Sequence, residues 1–182
     1  YSQTQIDELK KFSSVWQRYT YLISRQTQSN DISIELRLRR HHAWLRSAAA
    51  EYFQTASTKE ICEFWSKTAN DLITAAYDQT KRNFADLQLA VFAFGKLGAH
   101  ELNLSSDIDV MLVALDENSQ QVAFLRQFQS LLAESTEFGF VFRCDFDLRP
   151  GGRMGPLIPT LEQLKDYYGN YGEAWERLAF IR

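Results

Sequence analysis

Residues Leu87 to Leu115 read LQLAVFAFGKLGAHELNLSSDIDVMLVAL, and this stretch decides the fold. Leu87 to Phe94 is an almost unbroken apolar run rich in valine and phenylalanine and closed by Gly95, the pattern of a strand buried on both faces. Ile108 to Leu115 is a second strand of the same kind, and Lys96 to Ser106 between them is a loop or short helix. Side chains alternate along a strand, so Asp107 and Asp109, two apart at the mouth of the second run, point the same way.

Working outward toward the C-terminus, Asp116 to Ser119 make a turn. Phe124, Phe128, Leu131 and Ser135 then mark one face of a helix that ends at Gly139. Val141 to Leu148 is a third strand, in which Phe142, Cys144, Phe146 and Leu148 alternate with Arg143, Asp145, Asp147 and Arg149. Period two places those four charges on one face. Pro150, Gly151 and Gly152 end it, Thr160 with Gln163 opens a helix over Leu161 to Tyr168, and a last helix begins near Gly172.

Toward the N-terminus the period changes to that of helices. Leu9, Phe12, Trp16, Tyr19 and Ile23 form one apolar stripe, and Leu38, His42, Leu45, Ala49 and Tyr52 form a second after a polar turn at Gln26 to Asp31. Arg37, Arg39, Arg40 and Arg46 fall on or beside the exposed face of that second helix, and His42 falls on its apolar stripe as a core histidine. Ser57 and Glu60 form a capping box before a third helix marked by Ile61, Trp65, Thr68, Leu72 and Ala76. The expectation is an α+β fold: a small mixed β-sheet with flanking helices, an N-terminal helical region over 1–84 and a catalytic core over 85–182.

With 182 residues, 45% of them hydrophobic and 24% charged, the chain has the size and composition to bury a globular core. A net charge of -3 supplies no basic footprint for nucleic acid, so any phosphate handled here must meet locally placed cations. Cys62 and Cys144 form no CxxC pair and suit a reducing compartment as small buried hydrophobes. No apolar run reaches the roughly eighteen residues of a membrane span and no signal peptide is recognisable, so the expected location is the cytoplasm, with no membrane partner. The chain opens at Tyr1 without an initiator methionine and stops at Arg182 inside a helical pattern, which reads as a fragment of something longer.

Two carboxylates ~4 Å apart repel by ~4 kcal/mol at an effective dielectric near 20, a cost that a cation between them removes. Hard, octahedral Mg²⁺ prefers such oxygens and leaves positions for substrate phosphates, and a second ion clamps both the attacking and leaving oxygens of an in-line displacement. Asp145 offers a third carboxylate from the later strand, with Asp147 on the same face. Gly95 lets the backbone approach a phosphate, Lys96 and Arg149 neutralise charge, and Ser105 and Ser106 add donors. The plainer alternatives stay open: Ser-Ser-Asp also suits a helix cap or a turn into a strand, and the Arg-Asp-Asp-Arg face also suits a solvated charge ladder. His41, His42 and His100 lack metal-ligand spacing.

Gly95-Lys96 followed after ten residues by Asp107-Ile108-Asp109 resembles the signature of the polymerase-beta-like nucleotidyltransferase superfamily. The longer string FGKLGAHELNLSSDIDVML is similar to the motif GKLGGxELNxSSDIDLxF of the bifunctional glutamine synthetase adenylyltransferase and adenylyl-removing enzymes, and VFRCDFDLRPGGRMGPLIPTLEQLKDYYGNYGEAWERLAFIR resembles their second block. The similarity runs from about Leu36 to the end. In that family one half attaches AMP from ATP to a tyrosine of glutamine synthetase, and the other removes it by phosphorolysis. ELNLSSDID, where the adenylylating half tends to read ELGYSSDLD, together with Gly155-Pro156-Leu157 and Trp175-Glu176-Arg177, resembles the removing, N-terminal half.

The resemblance implies that Asp107, Asp109 and Asp145 are catalytic metal ligands for magnesium, with two ions expected, and that Gly95, Lys96, Ser105, Ser106 and Arg149 meet phosphate or nucleotide. It further implies ATP or ADP and phosphate as substrates, glutamine synthetase as protein substrate, and nitrogen-signalling proteins as regulators of the full-length protein. Two departures stand out: Asp147 occupies the place of a family arginine and Cys144 that of a valine. They motivate a rival expectation, a degenerate domain that binds nucleotide or partners without turnover.

Overall fold

The computed structural model describes residues 2–4, 7 and 31–179. The helix expected along Leu9, Phe12, Trp16, Tyr19 and Ile23 lies outside the described residues.

Helix α1 (Ile32–Tyr52) starts where the Asp31 side chain accepts the Ser33 amide at 2.8 Å, and α2 (Thr58–Lys81) starts at the Ser57/Glu60 capping box. The two helices pack together. Ile61, Trp65, Leu72 and Ala76 are buried along α2 as the sequence pattern requires. On α1 the buried face is rotated from the expected stripe: Leu36, Arg37, Leu38, Ser47 and Ala49 are buried, whereas His42 and Tyr52 are exposed. His41 is the histidine that packs, its Nε2 2.8 Å from the Phe138 carbonyl oxygen.

Arg37 accounts for the rotation. It is 1% exposed, and its guanidinium donates to the carbonyls of Ser33, Glu134 and Gly139 at 2.9, 2.6 and 2.8 Å, with longer contacts to Ser130 and Leu131. A cation buried this way caps the C-terminal carbonyls of the helix over 121–133, where the helix dipole favours positive charge.

Three strands follow in the order β1 (Leu89–Ala93), β2 (Ile108–Ala114), β3 (Cys144–Asp145). β1 pairs antiparallel with β2, Leu89 opposite Ala114 and Ala93 opposite Val110, and β2 pairs parallel with β3. β2 is buried on nearly every residue, as expected of a central strand. β1 is not: it is a sheet edge, Ala90 and Phe92 are exposed, and only Leu89, Val91 and Ala93 lean on the core. Even-numbered residues of β2, Ile108, Val110 and Leu112, join Trp65, Leu72, Phe124 and Phe128 in the main core. Odd-numbered Met111 and Val113 face the other way, against Phe94, Leu148 and Leu164. Helices therefore cover both faces of a narrow sheet.

Between β1 and β2 the chain makes a single helical turn, α3 (Gly95–Gly98), followed by a loop. Helix α4 (Gln121–Ala133) stops before Gly139, which was expected to end it. Gly139, at φ +81°, instead closes a turn with Thr136. The third strand is also shorter than the alternation of Val141 to Leu148 predicts, because Val141 and Phe142 are both buried and both amides donate to the Leu132 carbonyl at 2.9 Å. Beyond it, a 3-10 turn (Gly152–Met154) leads to α5 (Leu161–Asn170), opened by the Thr160/Gln163 capping box, and α6 (Ala174–Ala179). No helix among the described residues is long and apolar enough to cross a membrane.

Candidate nucleotidyl-transfer site

β1 leads directly into Gly95, whose φ of +54° lies in the left-handed region that side-chain-bearing residues avoid. A Cβ built on Gly95 would lie 2.8 Å from Asp109 Oδ2, so the carboxylate occupies the space that the missing side chain leaves. The backbone fixes this approach, since the Phe94 amide donates to the Asp109 carbonyl at 2.9 Å. Directly across the parallel ladder, Asp109 is register-paired with Asp145. Adjacent strands lie about 4.8 Å apart, which sets two carboxylates side by side.

Burial, then the charges of Asp145 and Asp107, raise the Asp109 carboxyl above its usual range, against a smaller opposing pull from Lys96. Asp109 thus feels both of its acidic neighbours at one end of the sheet. Their present partners differ, however. Asp107 is ion-paired with Arg143 Nε, and Arg143 also donates to the Ser105 carbonyl at 3.1 Å. Asp145 Oδ1 accepts the Asp147 amide at 2.7 Å. Among the described residues, no three His, Cys, Asp or Glu side chains already stand in metal-holding geometry.

The donor chemistry nevertheless fits a hard divalent cation. The three groups are oxygen donors, and two of them, Asp109 and Asp145, are set beside each other by strand register, the donor type a hard divalent cation prefers. Nearby, Lys96 Nζ donates to Ser106 Oγ at 3.3 Å, and the Ser105 amide donates to Asn103 Oδ1. Cys144 is unsuited to nucleophilic work, because burial and then the Asp107 charge push its thiol up to about 12.

Asp107 and Asp145 open onto a cleft of about 500 Å³ whose other walls carry Arg126, Asp147, Arg149 and Arg153. The four charges expected on one strand face separate here. Arg143 and Asp145 are exposed, but Arg149 is 5% exposed, turned inward to donate to the Phe146 carbonyl at 2.6 Å and to Asp147 at 3.0 Å. Asp147 also accepts from Arg153 Nε at 2.7 Å, and it sits between two guanidiniums that hold its carboxyl below the usual range. Sequence reasoning did not single out Arg126 or Arg153. Arg153 directly follows the Gly151-Gly152 pair that was read only as the end of a strand, whereas Arg126 lies on a helix whose polar face carries no motif.

A small mixed sheet flanked by helices, with acidic residues gathered at the parallel pair, defines a fold of nucleotidyltransferase type. The chain belongs to the glutamate-ammonia ligase adenylyltransferase family, whose sequence model matches residues 1–182. It is also 32% identical to the bifunctional glutamine synthetase adenylyltransferase/adenylyl-removing enzyme of Idiomarina loihiensis over an alignment of 182 residues, covering 86% of this chain and 19% of that protein. The chain thus spans less than a fifth of the length of that relative.

Proposed function

We propose that this chain carries a metal-dependent adenylyl-transfer site acting on glutamine synthetase, and that it runs in the removing direction. In this reading residues 85–182 are its core, and the described part of 1–84 from residue 31 onward is the helical region beside it. The observation that carries the reading is the parallel pairing of Asp109 with Asp145 beside Asp107, with Asp109 seated against Gly95. In this reading Asp107, Asp109 and Asp145 hold magnesium, and Asp107 turns away from Arg143 to do so. Bound there, the metal supplies charge neutralisation and alignment for the phosphate of an AMP-tyrosine diester. An oxygen of inorganic phosphate attacks that phosphorus, the bond to the tyrosine oxygen breaks, the phenol regains its proton, and ADP leaves. Lys96, Ser105, Ser106 and Arg149 position the phosphates, and no side chain needs to form a covalent intermediate.

The test uses the full-length protein containing this chain, adenylylated glutamine synthetase, magnesium and phosphate, with ADP as the measured product. Asp109→Asn and Asp145→Asn should each lower ADP release by at least about a hundredfold, in the range seen when a transition-state contact is lost. Full activity in either variant would remove that carboxylate from the mechanism. Formation of adenylylated enzyme from ATP and unmodified glutamine synthetase, with no phosphorolysis, would assign the opposite direction.

One observation favours a second reading. Asp147 ties up Arg149 and Arg153, two of the cations that line the cleft. A domain that binds nucleotide without turning it over would show magnesium-dependent ATP binding by titration calorimetry and no product in either direction.

A further inference from the structure

Behind Asp147 and Arg149, which wall the carboxylate cleft, lies a second chamber of about 300 Å³. Its lining is aromatic: Phe94, Tyr167, Tyr168 and Trp175 all face it. The chamber shares a sheet face with the acidic site. Asp109, Met111 and Val113 project to the same side of β2, and Met111 and Val113 pack in one cluster with Leu148 and with Leu164 of α5. α5 therefore lies over the face that carries Asp109, and the chamber opens between α5, α6 and the turn before them.

Three features show a space shaped for a ligand. The turn at its edge has bare backbone, with Gly151 at φ +73° and Gly152 at φ +54°. Trp175 presents a 62% exposed indole at the chamber, although α6 is pinned to α5 by Tyr167 Oη donating to Glu176 at 3.0 Å and Arg177 donating to the Tyr168 carbonyl at 2.8 Å. Arg149, nineteen-twentieths buried, lines both this chamber and the carboxylate cleft and so joins the two. Rings that offer flat faces, with the carboxylates of Asp147 and Glu176 and the Arg149 guanidinium at the margin, suit a flat heterocycle bearing edge donors and acceptors. An aliphatic chain would leave those polar groups unpaired and the flat ring faces without a stacking partner.

We propose that this aromatic chamber is a nucleobase site, taking the base of the nucleotide whose phosphate lies over Asp109 and Asp145. The inference rests on the nucleotidyl-transfer reading for the identity of its ligand. It adds Tyr168 and Trp175 as residues that decide between a nucleotide and a bare polyphosphate.

The experiment titrates adenosine, which has no phosphate, and magnesium tripolyphosphate, which has no base, into the full-length protein by calorimetry. Adenosine should bind saturably, Trp175→Ala should weaken it about tenfold, and tripolyphosphate binding should be unchanged in that variant. Tyr168→Phe, which keeps the ring, should bind adenosine as the parent does. Equal adenosine affinity in Trp175→Ala and the parent overturns the proposal, as does a chamber that refuses adenosine but accepts a tyrosine peptide. Asp109→Asn should weaken magnesium tripolyphosphate and spare adenosine, so a failure of the carboxylate reading appears in the other titration.

Discussion

Replacing Gly95 by alanine separates two consequences of one backbone position. An L-residue in the left-handed region costs ~1–2 kcal/mol. For a protein of this size each kcal/mol moves Tm by roughly 2–4 °C, so thermal unfolding of Gly95→Ala should occur about 2–8 °C below the parent. The second consequence falls on the carboxylate. The new Cβ would lie 2.8 Å from Asp109 Oδ2, where ordinary contact begins at 3.4 Å, so the carboxylate must retreat by about half an ångström. A 1 Å misplacement of a reacting group costs on the order of a hundredfold in rate, so about a tenfold loss of adenylyl transfer is expected. The assay pairs thermal unfolding with initial rates of ADP release from adenylylated glutamine synthetase. Gly169→Ala is the control, since a Cβ there meets nothing within 4 Å and the residue lies inside α5. If Gly95→Ala is destabilised yet turns over at the parent rate, the position of Asp109 against the turn has no part in the chemistry.

Asp109→Asn should be more stable than the parent at pH 7 without divalent metal. The folded state takes up a proton at Asp109 more readily than the unfolded chain, chiefly because burial and then Asp145 and Asp107 disfavour its charge. Ionisation of Asp109 therefore weakens folding as pH rises from the unfolded value near about 3.9 through the higher folded one, and the advantage of Asn should vanish below that window. Denaturant titrations at acid and neutral pH check this, and a pH-independent difference would contradict it. Arg37→Met should cost about 3 kcal/mol or more in urea unfolding, because carbonyls of Glu134 and Gly139 lose a charged donor. A loss below about 1 kcal/mol would mean that water replaces the guanidinium. Ser57→Ala should cost about 1 kcal/mol through the broken capping box, and Ser57→Asp should recover most of it by the same measurement.

The two capping boxes, the central strand and the helix marked by Ile61, Trp65, Leu72 and Ala76 were legible because each rests on local spacing that the fold obeys. Asp107 and Asp109 could be singled out by strand alternation. The choice of Asp145 over Asp147 on the same face rested on the family resemblance of the second block, and the register that pairs Asp145 with Asp109 needed coordinates. Arg37 could not be singled out. Nothing in a run of arginines says which one will turn inward, and that choice is made by the free carbonyls at the end of α4, nearly a hundred residues away along the chain. β1 read as buried on both faces because Phe92 and Ala90 are apolar, yet a strand's exposure is set by whether a neighbour covers it. The alternation in Val141 to Leu148 suggested a long ladder, but the tether of Val141 and Phe142 to Leu132 leaves only Cys144 and Asp145 to pair. Asp147 was noticed as an oddity of sequence; its grip on Arg149 and Arg153 needed coordinates.

β2 is fastened at both ends by the segment downstream of α4. Asp109 meets Asp145 near its start, and Ala114 forms a parallel bridge with Thr160 at its finish, where the Ala114 amide donates to the Pro159 carbonyl at 2.9 Å. The intervening chain is thus a strap of set reach between two anchors. Slack added to it can bulge into solvent at little cost, but a deletion must drag one anchor along the strand. Evolution or engineering should consequently find this strap easy to lengthen and hard to trim.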